Sequence, residues 1–188
     1  SANIDVVHFA SKGNTSNFGS SSVARRRGAG LSNNTRGVLA GGHTPTKSNV
    51  IDFVTIATAG DASDFGDLAA ATTAARSNIA SSGSITRGLF AGAYPVGNII
   101  DFITIASTGD ASDFGDLTVS RGGGCNGGAL SNKVRGLFAG GYAYPADPAN
   151  SNVIDFVTIA STGNATDSGD LTAVKQNLTT ASNGHGGL

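Results

Sequence analysis

Ile100-Asp101-Phe102-Ile103-Thr104-Ile105-Ala106-Ser107 is one of four near-copies of the same segment in this chain. The other three copies begin at Ile4, Ile51 and Ile154. Near-identical segments that recur at a spacing of roughly 50 residues are typical of repeat architectures such as propellers and stacked arrays. The repeat therefore determines the fold class before any residue is considered for chemistry.

Alternation within this segment predicts a strand that is covered on both faces. In the second copy, a period of two places Ile51 and Phe53 on one face and Val54 and Ile56 on the other. Bulky apolar side chains on both faces are typical of a strand inside a stack of sheets. We therefore expect the segment to be a core strand and not a functional motif.

Two other segments flank this strand in each repeat. An Arg-Gly apolar run closed by small residues precedes it and predicts a short buried strand; the runs begin at Arg36, Arg87 and Arg135. A stretch rich in Gly, Asp and Ser follows it and predicts a tight turn that satisfies its own backbone. The turns cover residues 60–68, 109–117 and 163–171, with an eroded copy at 13–21, and a third strand is expected to start at Leu68, Leu117 and Leu171.

One aspartate and one basic residue also recur in every repeat. The aspartates are Asp5, Asp52, Asp101 and Asp155, and the basic residues are Arg25, Arg76, Arg121 and Lys175. A buried carboxylate is costly unless it accepts hydrogen bonds or pairs with a cation, so we interpret each aspartate as an acceptor for arginine or backbone donors. The alternative is a charged ring that lines a central channel.

The order of these segments resembles the kelch-type β-propeller repeat, with Phe65 and Phe114 where kelch repeats usually carry tryptophan and with Ser168 departing from that pattern. This resemblance implies an all-β, kelch-like β-propeller built from four repeats of roughly 50 residues. Residues 1–188 then form a single domain, with repeats at approximately 1–34 (partial), 35–85, 86–133 and 134–188. Part of a larger ring, or a stack completed by a neighbouring chain, is the alternative.

The first repeat lacks an Arg-Gly strand, because no such run precedes Ile4. The C-terminal residues 181–188 align with residues 130–137, so the sequence ends where that strand is expected to begin. The chain also has no initiator methionine, which favours a processed product or a segment of a longer polypeptide.

The sequence of the last copy is similar to repeats in virion structural and fibre-like proteins of tailed phages, especially phages of marine cyanobacteria. The similar stretch runs from Ile154 to Asp167 and continues with Gly169-Asp170-Leu171-Thr172. This resemblance implies a virion or extracellular location. It also implies partners among other virion proteins or host-surface glycans and proteins, with oligomerisation left open.

Composition removes several function classes. The chain has 12 Lys and Arg and 13 Asp and Glu, a net charge of −1. This charge gives no electrostatic attraction to nucleic acid or to an anionic membrane. No apolar run approaches the roughly 20 residues that span a bilayer. A single cysteine, Cys125, excludes an internal disulfide.

Catalytic and metal-binding patterns are absent from the sequence. The three histidines, His8, His43 and His185, share no metal-ligand spacing, and no nucleophile–base constellation can be assembled. We therefore expect a protein that is not an enzyme and has no cofactor; calcium bound at the Asp-rich turns is the alternative to simple turn capping.

Binding is expected in the loops after the Arg-Gly strands, where length and side chains vary between repeats. These loops cover residues 43–47, 94–97 and 142–150. The candidate ligand-binding residues are His43, Tyr94, Tyr142 and Tyr144, because rings of this kind stack on sugar or protein surfaces.

Overall fold

The computed structural model describes residues 2–69, 75–93, 97–121, 128–142 and 150–182, and these residues form an all-β fold without helices. The strands are β1 (Asn3–Val6), β2 (Ser16–Ser20), β3 (Ala29–Ser32), β4 (Arg36–Ala40), β5 (Val50–Thr55), β6 (Ser63–Asp67), β7 (Ala80–Gly83), β8 (Arg87–Ala93), β9 (Gly97–Thr104), β10 (Ser112–Arg121), β11 (Gly128–Ser131), β12 (Arg135–Ala139), β13 (Val153–Thr158) and β14 (Thr166–Asp170). The predicted all-β class is confirmed.

Three antiparallel four-stranded sheets and one two-stranded sheet account for these strands. Their orders are β3-β4-β5-β6, β7-β8-β9-β10, β11-β12-β13-β14 and β1-β2. In each four-stranded sheet, consecutive strands are neighbours, and the Arg-Gly strand and the Ile-Asp-Phe strand occupy the two central positions. Both predicted strands are therefore present, and each sheet takes its first strand from the end of the preceding sequence repeat.

The Asp-rich segment, predicted to be a turn, is mostly strand, and this prediction was wrong. β6 ends at Asp67, before the predicted strand start at Leu68, and β14 ends before Leu171, whereas β10 runs through Leu117. The reason is strand pairing: β6 pairs with β5 through a bulge at Phe65 and Gly66, and the φ of Gly66 is +142°. Phe65 is 3% exposed, but β14 pairs with β13 in the same way although all of its residues are exposed. Strand pairing thus outweighs the weak strand propensity of Asp, Ser and Gly.

The hydrophobic core lies between successive sheets. One cluster joins Val38, Ile51 and Phe65 of the first four-stranded sheet to Phe90 and Ile105 of the second. A second cluster joins the second sheet to the third; it includes Leu89, Phe114, Phe138, Val157 and Ile159. Strands β3, β7 and β11, the first of each sheet, also contact one another in succession. Each sheet is therefore stabilised by its neighbours, as in other repeat folds.

The N-terminal sheet differs from the other three sheets. Phe9 is fully exposed, whereas the equivalent Ile105 and Ile159 are 0% and 2% exposed. Val7 is also exposed, while its equivalent Val157 is buried. The prediction that the repeated strand is covered on both faces is therefore confirmed for β9, holds less completely for β5 and β13, and is wrong for β1.

Candidate functional site

Buried ion pairs join successive units of the fold. Arg25 pairs with Asp52, Arg76 with Asp101, and Arg121 with Asp155, and the three carboxylates are fully buried. In the last pair, Arg121 Nη2 donates to Asp155 Oδ2 at 2.6 Å. The predicted aspartate–arginine contact is confirmed at these three junctions, and the alternative of a charged ring lining a channel is wrong, because the carboxylates are enclosed by protein.

Further hydrogen bonds complete the first and last of these pairs. Ser22 Oγ donates to Asp52 Oδ1 at 2.6 Å, and Thr118 Oγ1 donates to Asp155 Oδ1 in the same way. Arg25 Nη1 also donates to the carbonyls of Gly41 and Val50, at 3.1 and 2.9 Å. Such partners offset the cost of removing charges from water. Both oxygens of Asp52 and of Asp155 accept hydrogen bonds within the fold, which favours a structural role over a catalytic one.

Burial lowers the pKa of two of these guanidinium groups. Desolvation lowers the pKa of Arg76 to about 10. The pKa of Arg25 is also lowered, chiefly by desolvation and partly offset by the charge of Asp52. A pKa of about 10 leaves Arg76 charged at neutral pH, so its ion pair with Asp101 is intact there.

The Arg76–Asp101 pair lacks the hydroxyl donor that the other two pairs have, so a substitution that supplies one is expected to stabilise the fold. Ala69 occupies the position of Ser22 and Thr118, and Asp101 Oδ1 has no hydrogen-bond partner among the described residues. We expect Ala69→Ser to supply the hydroxyl and raise the free energy of unfolding by about 1 kcal/mol. Denaturant unfolding with Ala57→Ser as the exposed control measures the gain; equal effects of the two substitutions would contradict the interpretation.

Main-chain contacts form a second junction between units. Gly109 N donates to the Phe65 carbonyl, and Gly163 N donates to the Phe114 carbonyl, each at 2.7 Å. At these points Gly66 and Gly115 face the incoming glycines so closely that an added Cβ would lie 2.5 Å from main-chain atoms. The glycines therefore allow neighbouring units to approach to backbone contact.

The Asp-rich segments contribute a side-chain acceptor to the same junction. Asp110 Oδ1 accepts from Asp67 N at 2.9 Å, and Asn164 Oδ1 accepts from Asp116 N at 3.0 Å. Asp61 does the same for Ser20. Because asparagine serves as well as aspartate, the position requires an oxygen acceptor but not a charge. The predicted capping role is confirmed at Asp167, whose Oδ1 accepts from Gly169 N at 2.8 Å within the same segment, whereas Asp61, Asp110 and Asn164 cap the neighbouring unit instead. Within the described residues, no group of three or more His, Cys, Asp or Glu is placed to hold a metal.

A cleft of about 390 Å³ lies where the first strands of the sheets meet. Residues 30–32, 81–83, 129–131 and 180–182 line it. Its hydroxyl groups bridge neighbouring segments: Ser81 Oγ donates to the Gly30 carbonyl at 2.6 Å, and Thr180 Oγ1 donates to the Ala129 carbonyl at 2.7 Å. Sequence reasoning missed this cleft, although the hydroxyl residues that precede each Arg-Gly strand were a signal for it.

Two of the four predicted ligand-binding residues are described. His43 and Tyr142 are both half-buried and follow β4 and β12, at equivalent positions of two different sheets. His43 N donates to the Arg26 carbonyl at 2.8 Å, and Tyr142 forms a backbone bridge with Asn150. Tyr94 and Tyr144 lie outside the described residues. The structure therefore places the described pair at the same type of loop in two different sheets.

Comparison with known proteins adds no family. No protein-family model matches the chain, and no curated protein matches it. Within the described residues there is also no helix of the length and apolarity needed to cross a bilayer. A function is therefore assigned on the geometry of the sheets, their junctions and their loops.

Proposed function

We propose that this chain is a non-enzymatic virion structural protein of a tailed phage, a fibre or surface-decorating domain that presents a rigid β scaffold to host-surface glycans or proteins. The similarity of the repeat sequence to repeats of phage virion proteins supports this proposal. The three buried ion pairs and the glycine contacts support it as well, because they join successive units into a rigid scaffold. The protein acts by recognition in this proposal, with no cofactor.

The proposed scaffold is a kelch-like β-propeller with four units around the cleft. Four chain segments line that cleft, and successive sheets repeat the same contacts, which supports this architecture over an unconnected set of sheets. Antiparallel meanders packed radially leave only short strand edges exposed. A rigid ring of this kind holds its loops in fixed relative positions.

The variable loops carry the proposed recognition function. They connect the second and third strands of each four-stranded sheet and cover residues 41–49, 94–96 and 140–152. Since the strands occupy equivalent positions in their sheets, these loops belong to the same end of each sheet. Unequal lengths on a common scaffold are typical of binding loops, and this single observation carries the proposal.

Binding of the labelled protein to host cells and to a glycan array tests recognition. We expect saturable binding that falls by about tenfold or more when His43, Tyr94, Tyr142 and Tyr144 are replaced together by alanine, as for hot-spot residues. The matched control is Ile85→Ala with Val134→Ala, because these exposed residues lie at the opposite ends of their sheets. No binding by the unmodified protein, or an equal loss in the control, would contradict the proposal.

A purely structural assembly module, completed by strand pairing with neighbouring chains, is the second candidate. The two-stranded N-terminal sheet and the fully exposed Phe9 favour it. Sedimentation distinguishes the two candidates: concentration-dependent association supports assembly, whereas a monomer at all concentrations argues against it.

A further inference from the structure

Positive charge is concentrated in one part of the chain, although the net charge is only −1. Between Asp5 and Asp52 the sequence has 6 Lys and Arg and no Asp or Glu. From residue 52 to residue 188 it has 12 Asp and 6 Lys and Arg. An asymmetry of this size indicates a local site for a negatively charged partner, which the net charge of the whole chain does not reveal.

Some of these six cations are engaged within the fold and others are not. Arg25 belongs to the first buried ion pair, and Arg36 Nη1 donates to the Ile105 carbonyl at 2.8 Å. Arg26 and Arg27, by contrast, are exposed. Neither of these two side chains has a hydrogen bond or an ion pair among the residues that the structure describes. Both guanidinium groups are therefore available to a ligand.

The main chain holds three basic residues side by side. Arg26 and His43 lie opposite each other in an antiparallel bridge, in which His43 N donates to the Arg26 carbonyl at 2.8 Å and Arg26 N donates to the His43 carbonyl at 3.3 Å. His43 is in turn opposite Lys47 in a second antiparallel bridge. The side chains of opposite residues lie on the same face, with Cβ atoms about 4.5–5.5 Å apart. These three residues and the adjacent Arg27 form the basic patch.

The equivalent positions in the other repeats carry no charge. The residues equivalent to Arg26 and Arg27 in the second repeat are buried, and the bridge between His43 and Lys47 is formed in the third four-stranded sheet by two neutral residues. These equivalents are Ser77, Asn78, Tyr142 and Asn150. Since the repeat folds with uncharged residues at these positions, the scaffold does not need the cations of the basic patch.

The backbone at Arg27 is a second, independent indication of function. Its φ is +60°, and the equivalent residues Asn78 and Asn177 have φ values of +55° and +56°. This left-handed conformation is unfavourable for residues with a Cβ, and least so for asparagine. The fold thus favours asparagine here, and the arginine lowers its stability. An unfavourable backbone conformation beneath an exposed charged side chain is typical of a functional position.

We propose that the basic patch binds an acidic polysaccharide through its carboxylate or sulfate groups. Guanidinium groups such as those of Arg26 and Arg27 hold these oxyanions through paired, charge-assisted hydrogen bonds. His43 and Lys47 extend the row of donors toward a second anionic group of the same chain. The inference rests on the proposed recognition function and names the ligand class of one variable loop, residues 41–49.

Nucleic acid is the other polyanion that a basic patch can bind, but the surrounding sequence favours a polysaccharide. Sites for single-stranded nucleic acid combine a basic groove with aromatic rings on which the bases stack. Between Phe18 and Phe53 the sequence has no Phe, Tyr or Trp. It has instead the exposed residues Thr44 and Thr46 next to the basic patch, and their hydroxyl groups can form hydrogen bonds with those of a sugar.

Fluorescence anisotropy of labelled polysaccharides, with the full chain titrated in at physiological ionic strength, tests the inference. We expect saturable binding to dextran sulfate or to polygalacturonate, none to neutral dextran, and weaker binding to single-stranded DNA of equal charge. The double substitution Arg26→Ser with Arg27→Asn introduces the residues of the second repeat and is expected to weaken binding by at least about tenfold.

The matched control for this double substitution is Lys12→Ser with Lys133→Ser. It removes the same charge from two exposed residues, in connections at the other ends of their sheets. Charges so far from the basic patch are largely screened, so we expect the affinity to change by less than about twofold.

Thermal unfolding separates ligand binding from a structural role of Arg27. We expect Arg27→Asn alone to raise the thermal midpoint by about 2 °C, because asparagine suits the left-handed conformation, while it weakens binding to the polysaccharide. A structural role for the arginine requires the opposite result, a lower midpoint.

The inference is overturned by no saturable binding to either acidic polysaccharide, by equal binding of neutral dextran, or by tighter binding of the DNA. Equal losses of affinity in the two double variants, or a lower midpoint for Arg27→Asn, also overturn it. Host-cell binding is measured separately: if the Arg26→Ser, Arg27→Asn protein binds cells as well as the unmodified protein, recognition stands and the acidic ligand class fails. If the unmodified protein does not bind cells, the recognition function itself fails.

Discussion

Replacing Asp155 with alanine is expected to lower the free energy of unfolding by about 3–5 kcal/mol. The Arg121 guanidinium then stays buried without its carboxylate, and the donors of Thr118 lose their acceptor. The cost is larger than that of an exposed ion pair because water does not reach the site to solvate the remaining charge. Denaturant unfolding followed by circular dichroism measures the loss.

Asp5 is the matched control for Asp155, because it has the same position in the repeated strand but is exposed. We expect Asp5→Ala to leave the unfolding midpoint within experimental error. A double substitution of Arg121→Met with Asp155→Leu is expected to recover most of the loss, since it removes both buried charges. Equal unfolding midpoints for the Asp155→Ala and Asp5→Ala proteins would show that the buried pair does not stabilise the fold.

The second large effect is expected at the glycine junction. Gly115→Ala places a Cβ 2.5 Å from the carbonyl carbon and oxygen of Gly163, at a residue whose φ is +144°. Because main-chain atoms cannot rotate away as a side chain does, the two sheets must separate. We expect a loss of about 4 kcal/mol in the free energy of unfolding, from overpacking and backbone strain together.

Gly169 separates these two contributions. It has a comparable φ of +122°, but an added Cβ meets nothing within 4 Å. Gly169→Ala is therefore expected to cost only the backbone strain, about 1–2 kcal/mol. If thermal and denaturant unfolding give the same loss for both substitutions, close approach between units is not what requires glycine at this position.

The sequence was sufficient to predict the elements whose patterns are local. Ile51 and Val54 lie on opposite faces of one short segment, so their spacing alone indicates a strand with two apolar faces. The recurrence of Asp52 and Arg25, once per repeat, likewise predicts a pairing that depends only on each unit having the same neighbours. Because the aspartate and the arginine both recur in each repeat, a contact between residues distant in sequence could be predicted.

Contacts between units explain what could not be predicted. The Asp-rich segment is a strand because it pairs with the Ile-Asp-Phe strand of its own sheet, and nothing within residues 60–68 indicates that pairing. Asp110 was interpreted as a cap of its own turn. Its carboxylate accepts instead from Asp67 N, which belongs to the preceding unit and which no local pattern identifies as the donor. Exposure of Phe9 was also missed, since the repeat predicts burial while the neighbour that would cover it is absent from the described residues.

For the candidate binding residues, only their positions in the loops could be predicted from the sequence. His43 and Tyr142 were expected at equivalent loops, and the structure places them after β4 and β12. Their common environment was not predictable, because loop conformation depends on partners such as Arg26 and Asn150 that no periodic pattern identifies.

The glycine junctions also determine which parts of this protein are free to diverge in sequence. At Gly66 and Gly115 the spacing between units is set by main-chain atoms, whose dimensions do not change with sequence. The distance and rotation from one unit to the next are therefore insulated from substitutions in the loops at the ends of the sheets. A family built on such junctions can exchange whole surface loops while its internal geometry stays constant.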